Sequence, residues 1–202
     1  MMMRTNRISV AAGIVLAASI MVTLCAVAAV RATPEMARGL SAGTSKLDRA
    51  ALATPSAELA EKVSELARFA GSNPAAAVAQ LRKARVEVGK TKTSIFAFRN
   101  DKGRACLVVP EWIGFCEPNE GSSTPGLDWS IGGGDPQTPS KFIAVYSDDI
   151  AKVTLAVDGT DVSVSMSNNV AYAEFPADAK HAAFSAVRSD GRSNSVEIDL
   201  QD

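Results

Sequence analysis

Lys152-Val153-Thr154-Leu155-Ala156-Val157-Asp158-Gly159-Thr160-Asp161-Val162-Ser163-Val164-Ser165-Met166-Ser167 carries the clearest folding signal in the chain. Val153, Leu155 and Val157 recur at intervals of two, so they share one face of a strand. Asp158-Gly159 is a two-residue hairpin signal, because such turns need positive φ and these residues tolerate it. Beyond the turn, Val162, Val164 and Met166 alternate with Ser163, Ser165 and Ser167. Strands that are apolar on one face and polar on the other suit antiparallel sheets with one face on a core.

The two-residue period continues in both directions. Residues 171–175 and 182–188 read as strands, Ser189-Asp190-Gly191 as a turn, and Val196, Ile198 and Leu200 as a closing strand. Upstream, 141–146 and 127–131 read as strands, with a glycine-rich loop at Gly132-Gly133-Gly134-Asp135-Pro136 between them. Residues 117–125 are a polar loop, 112–116 a strand, and 94–99 with 104–109 a hairpin about Asn100-Asp101-Lys102-Gly103. Parallel α/β folds need helices between strands, and this half shows no helical period. The expected fold is mainly β with N-terminal helices: an antiparallel β-sandwich or barrel-like domain over 91–202.

A helical segment, 54–90, precedes it. Thr54-Pro55 supplies an N-cap and a first-turn proline, and Leu59, Val63, Leu66 and Ala70 form one apolar stripe ended by Gly71. Asn73-Pro74 repeats the start signal for a second helix over 75 to about 83, while Arg85-Val86-Glu87-Val88 already alternates like a strand. Residues 31–53, with Pro34, Gly39 and Gly43, read as a stalk.

Residues 8–30 carry no charge and no proline, and Arg7 and Arg31 bracket them. Twenty-three residues of helix span roughly 35 Å, enough to cross a hydrocarbon core of about 30 Å. The expectation is a transmembrane signal-anchor with residues 1–7 as cytoplasmic tail. The competing reading is a signal peptide cut after Ala26-Val27-Ala28, which the length of the apolar run disfavours. Ser9, Gly13 and Ala17 share a helix face, a spacing that alanine-rich segments produce by chance. Cys25 reads as an inert apolar filler.

Charge is uneven. From Thr91 onward nine basic residues oppose sixteen acidic ones, a net of −7, whereas 32–90 carries nine basic against six acidic, a net of +3. An acidic body does not suit nucleic acid, which calls for a basic face.

Cys106 and Cys116 are the only cysteines outside the apolar run. A tight return near 110–114 brings them together, and a structural disulfide is the favoured reading. Disulfides persist outside the cytosol, in agreement with an export segment. Zinc needs about four ligands, and His181 is the only histidine; a redox pair usually shows C-x-x-C, which is absent. Neither a metal nor a cofactor is expected. Loop carboxylates Asp158, Asp161 and Asp190 read as turn residues without calcium-loop spacing.

Arg104-Ala105-Cys106-Leu107-Val108-Val109, Gly114-Phe115-Cys116, Asp149-Ile150-Ala151-Lys152-Val153-Thr154-Leu155, Asn169-Val170-Ala171-Tyr172 and Ser189-Asp190-Gly191 occur in that order. In this the chain resembles a loose group of uncharacterised exported or membrane-anchored proteins of actinobacterial type. That group similarly shows a G-x-x-C-L strand, a second nearby cysteine and D-G turns. The resemblance covers about 91–202 and implies export but no activity. The group's V-P-D-G turn is replaced here by Tyr146-Ser147-Asp148-Asp149.

His181 has no evident catalytic partner, and no hydrolase, metalloprotease or phosphate-loop motif is present. Asp148 with Asp149, and Asp128 with Asp135, are the carboxylate pairs available for acid–base work. Trp112 and Trp129 are candidates for stacking on envelope sugars and equally fit the core or rim of a sheet. The leading expectation is a single-pass, membrane-tethered extracytoplasmic domain, not an enzyme, with an interaction or structural role. Its partners are lipid through 8–30 and an envelope protein or glycan. The alternatives are a secreted binding module released by cleavage and a carboxylate-based envelope hydrolase.

Overall fold

The computed structural model describes residues 43–88, 91–110, 112–117, 123–132 and 138–200, with the backbone alone at 85–88, 91–92, 112–113 and 123–124. The expected apolar segment 8–30, the tail 1–7 and stalk residues 31–42 lie outside the described residues. Among the described residues no helix is long and apolar enough to cross a membrane.

In chain order the elements are α1 (Ser45–Asp48), β1 (Ala51–Leu52), α2 (Ala57–Phe69), α3 (Pro74–Ala79), β2 (Arg82–Val88), β3 (Thr91–Arg99), β4 (Ala105–Val109) and β5 (Trp112–Cys116). There follow β6 (Ser123–Thr124), β7 (Leu127–Gly132), β8 (Ser140–Tyr146), β9 (Ile150–Val157), β10 (Thr160–Val162), β11 (Ser165–Ser167), β12 (Val170–Phe175), β13 (His181–Arg188) and β14 (Ser193–Asp199). The chain is mainly β, in antiparallel sheets with few helices.

Three sheets form: a first sheet β1-β2-β3-β4-β5, a middle sheet β11-β12-β8-β7-β6 and an outer sheet β10-β9-β13-β14. Strand alternation sends successive side chains to opposite faces, and here it builds three cores. Leu59, Val63, Leu66 and Ala77 of the helices pack on Phe96, Phe98, Cys106 and Val108 of the first sheet. That sheet's other face gives Ile95, Ala97, Leu107 and Phe115 to a core shared with Ile143, Val145, Val170 and Tyr172 of the middle sheet. Phe142, Ala144, Ala173 and Phe175 then meet Val153, Leu155, Ala182 and Phe184 of the outer sheet. The middle sheet is buried on both faces, which explains why β8 and β12 read as nearly continuous apolar runs.

Turn chemistry sets the register. Asp158 and Gly159 both have positive φ (48° and 76°), as a two-residue I′ turn requires, and Val157 faces Thr160 across it. Asn168 and Asn169 do the same between β11 and β12. The stretch 162–166, which reads as one strand, is two: β10 closes the outer sheet and β11 the middle one, so the chain changes sheets at 163–164.

The helical region differs from expectation at its edges. Helix α2 is capped by Ser56, whose hydroxyl accepts the Leu59 N–H at 3.3 Å, two residues beyond the expected Thr54. It ends in a Schellman closure, with Ser72 N–H on the Ala67 carbonyl and Gly71 at φ 69°. Helix α3, capped by Asn73, stops at Ala79 instead of about 83, because 82–88 is taken by the ladder with β3. The boundary drawn at 90/91 therefore falls inside a hairpin, and helices and first sheet share one core.

Residues 43–53, read as the end of a stalk, are built into this body. Leu47 is buried between the first and middle sheets. Ser45 N–H donates to Asp148 Oδ2 at 2.9 Å and Leu47 N–H to Asn169 Oδ1 at 3.0 Å. Arg99 reaches Asp48 with two nitrogens, at 2.9 and 3.0 Å, and Thr44 Oγ1 at 2.6 Å. The segment has no strong period of its own, and these distant partners fix it together with the pairing of β1 on β2.

Candidate functional site

Cys106 and Cys116 stand opposite one another on β4 and β5 and are joined as a disulfide, with Cα atoms 4.0 Å apart. Their neighbours Ala105 and Glu117 form a hydrogen-bonded pair, Glu117 N–H donating to the Ala105 carbonyl at 2.9 Å. The cysteines thus occupy the closer, non-hydrogen-bonded position of an antiparallel ladder. Cys106 is fully buried under the helices. The return between the strands depends on Gly114, which lies at φ 89° where the register shifts by one residue. A Cβ there would sit 1.8 Å from the Leu107 carbonyl oxygen.

Directly after Cys116 the chain places a charge in the interior. Phe115 belongs to the core between the first and middle sheets, so Glu117, two residues on, returns to that side. Its Oε2 accepts the Ala105 N–H at 2.9 Å, and its Oε1 is buried without a hydrogen-bond partner among the described residues. Across the layer, Leu127 and Trp129 of β7 face the outer sheet, so Asp128 between them points toward the first sheet. Glu117 is 3% exposed and Asp128 1%. Burial pushes the Glu117 carboxyl up to about 7; the Asp128 charge adds to this, while the Ala105 N–H, Arg99 and Arg104 oppose it. The Glu117 carboxyl, buried on the side of the first sheet that faces the middle sheet, thus exchanges its proton near neutrality.

By its sequence Glu117 opens the polar loop 117–125. The signal that could have found it is the alternation Phe115-Cys116-Glu117, which carries the strand face one step further. Asp135, the expected acid–base partner of Asp128, lies outside the described residues.

The remaining candidates are dispersed. Trp129 is 7% exposed, its ring edge-on to Phe184 at 4.6 Å. It lines an open cleft of about 460 Å³ together with Ile131, Ser140, Phe175, Ile198 and Leu200. The Trp112 side chain lies outside the described residues; its backbone pairs with Val109. His181 is exposed, and its N–H donates to Asp158 Oδ1 at 2.9 Å. Asp148 and Asp149 sit in a turn: Asp148 ties down α1, and Asp149 pairs with Arg188. For Asp148 burial works upward, but hydrogen bonds from Ser45, Asn169 and Lys46 prevail and hold it at about 2. Asp190 is held low by hydrogen bonds from Arg192. Among the described residues no three His, Cys, Asp or Glu side chains gather as metal ligands would.

Neither a family model nor a curated protein nor a solved structure matches this chain.

Proposed function

We propose that this chain is a membrane-tethered, extracytoplasmic module with an interaction or structural role. The observation that carries the reading is the Cys106–Cys116 disulfide, built into the β4–β5 ladder with Cys106 fully buried and Cys116 half-buried. Such a bond persists where thiols stay oxidised, outside the cytosol. The uncharged run 8–30 behind Arg4 and Arg7 supplies the export segment. The resemblance to exported proteins of actinobacterial type, on strand and turn residues, points the same way. The stacked middle and outer sheets read as a sandwich whose open end offers the cleft beside Trp129, of a size suited to a small ligand or sugar unit.

Protease added to intact expressing cells tests the reading: digestion of residues 43–200 with both cysteines resistant to alkylation until reduced supports it. Protection from protease together with free thiols at 106 and 116 overturns it. Intact mass of the mature protein separates tether from secreted module, since cleavage after Ala28 removes residues 1–28.

A second reading, a carboxylate-based envelope hydrolase, is favoured by the facing Glu117 and Asp128. Their burial speaks for a structural proton instead. Hydrolysis of envelope glycan by the wild-type chain, lost in both Glu117→Gln and Asp128→Asn, would establish the hydrolase.

A further inference from the structure

Among the described residues six edge strands close the three sheets, and five of them are blunted. β1 and β6 are two residues long, β10 and β11 three, and β5 carries the Gly114 bulge and lies against α2. These are the devices by which edges are kept from pairing with other chains. β14 uses neither: it runs seven residues, in register with β13 throughout, and contains no proline, glycine, lysine or arginine.

Its hydrogen-bonding direction is fixed. Leu200 N–H donates to Lys180 and Arg188 N–H to Arg192, both at 2.7 Å, so even-numbered residues of β14 address β13. Ser193, Ser195 and Glu197 therefore turn their backbone N–H and C=O groups outward, and their side chains are exposed. Among the described residues cover lies at the start of the strand, where Asn194 Nδ2 donates to the Pro125 carbonyl at 3.3 Å.

We propose that β14 pairs antiparallel with β14 of a second copy, joining two outer sheets into one across a two-fold axis at Val196. The sequence is complementary to itself in this register. Ser195 meets Glu197 of the second copy and Ser193 meets Asp199, so each carboxylate faces a hydroxyl donor, and Val196 meets Val196 at a non-hydrogen-bonded position. The outward backbone groups of 195 and 197 supply the hydrogen bonds. Moving the axis to residue 197 sets Glu197 against itself, and moving it to 195 leaves only 193–197 in the pairing. Glu197 side chains of the two copies lie diagonal, so their repulsion is weak and screened by salt.

Oxidative cross-linking of the full chain in detergent micelles tests this, in a Cys25→Ser background. Val196→Cys places thiols across the axis in the same ladder position that Cys106 and Cys116 occupy, and a covalent dimer is expected. Val162→Cys, on the opposite edge of the outer sheet, is the control. Adding Ser195→Pro to Val196→Cys removes an outward N–H from each copy and lowers the dimer yield by about tenfold or more. Ser195→Glu, at an exposed position, sets like charges opposite and does the same without disturbing the fold, with partial recovery at high salt. Cross-linking of Val196→Cys no greater than that of Val162→Cys, or unaffected by Ser195→Glu, overturns the proposal.

Discussion

The N–H of Ala105 donates a 2.9 Å hydrogen bond to Glu117 Oε2, so a side-chain carboxylate, and not a main-chain carbonyl, terminates the β4–β5 ladder. The consequence is a pH-dependent stability. The Glu117 carboxyl rises from 4.5 to about 7 on folding, so its neutral form is the one the fold favours. For such a group stability is complete below 4.5 and is lost as pH climbs through about 7. A shift of this size corresponds to about 3 kcal/mol between acid and alkaline conditions. Urea midpoints between pH 4.5 and 8 will fall for the wild type and stay flat for Glu117→Gln. A parallel fall in both proteins would refute the assignment.

Asp148 behaves oppositely. Its carboxyl is held at about 2, so its contribution is present above pH 3.8 and disappears as pH drops through 2. Asp148→Ala removes acceptors from Ser45 and Asn169, at a cost of about 1 kcal/mol after solvent screening. The expected readout is faster proteolysis within 43–53, which these bonds hold against the body. An unchanged cleavage pattern there would show that Leu47, the Arg99 contacts and the β1–β2 pairing secure the segment without Asp148.

Gly114→Ala drives a Cβ into the Leu107 carbonyl. Backbone meets backbone, so no rotamer relieves the clash, and the loss is about 3 kcal/mol or more, roughly 6–12 °C in Tm. Gly191→Ala shares the positive φ but meets nothing within 4 Å, and loses only about 1 kcal/mol. Equal melting points for the two variants would contradict the steric account.

Removing the disulfide by Cys106→Ala with Cys116→Ala frees a loop with a sequence separation of 10. The chain-entropy relation gives a loss of about 3 kcal/mol. Calorimetry with and without reductant should show the wild type falling to the level of the double variant, which itself ignores reductant.

The local grammar of the chain was readable from its residues. Val153, Leu155 and Val157 declare a strand face, Asp158-Gly159 a turn, Asn73-Pro74 a helix start, and all three lie where these signals put them. Each depends on neighbours within a few residues, through alternation, positive φ or capping. The opposite cysteines were legible for the same reason, since β4 and β5 are adjacent and their return is short.

What tertiary structure alone decided is everything that depends on chain brought from far away. Residues 43–53 have no period to announce them; Asp148, 103 residues from Ser45, makes them part of the fold. The strand read over 162–166 divides because two sheets compete for it. Glu117 and Asp128 look like loop and strand polar residues until the first and middle sheets stack and bury both. Local sequence fixes which way a side chain points along its own strand, whereas burial, and with it the energy of a charge, is set by the layer that closes over it.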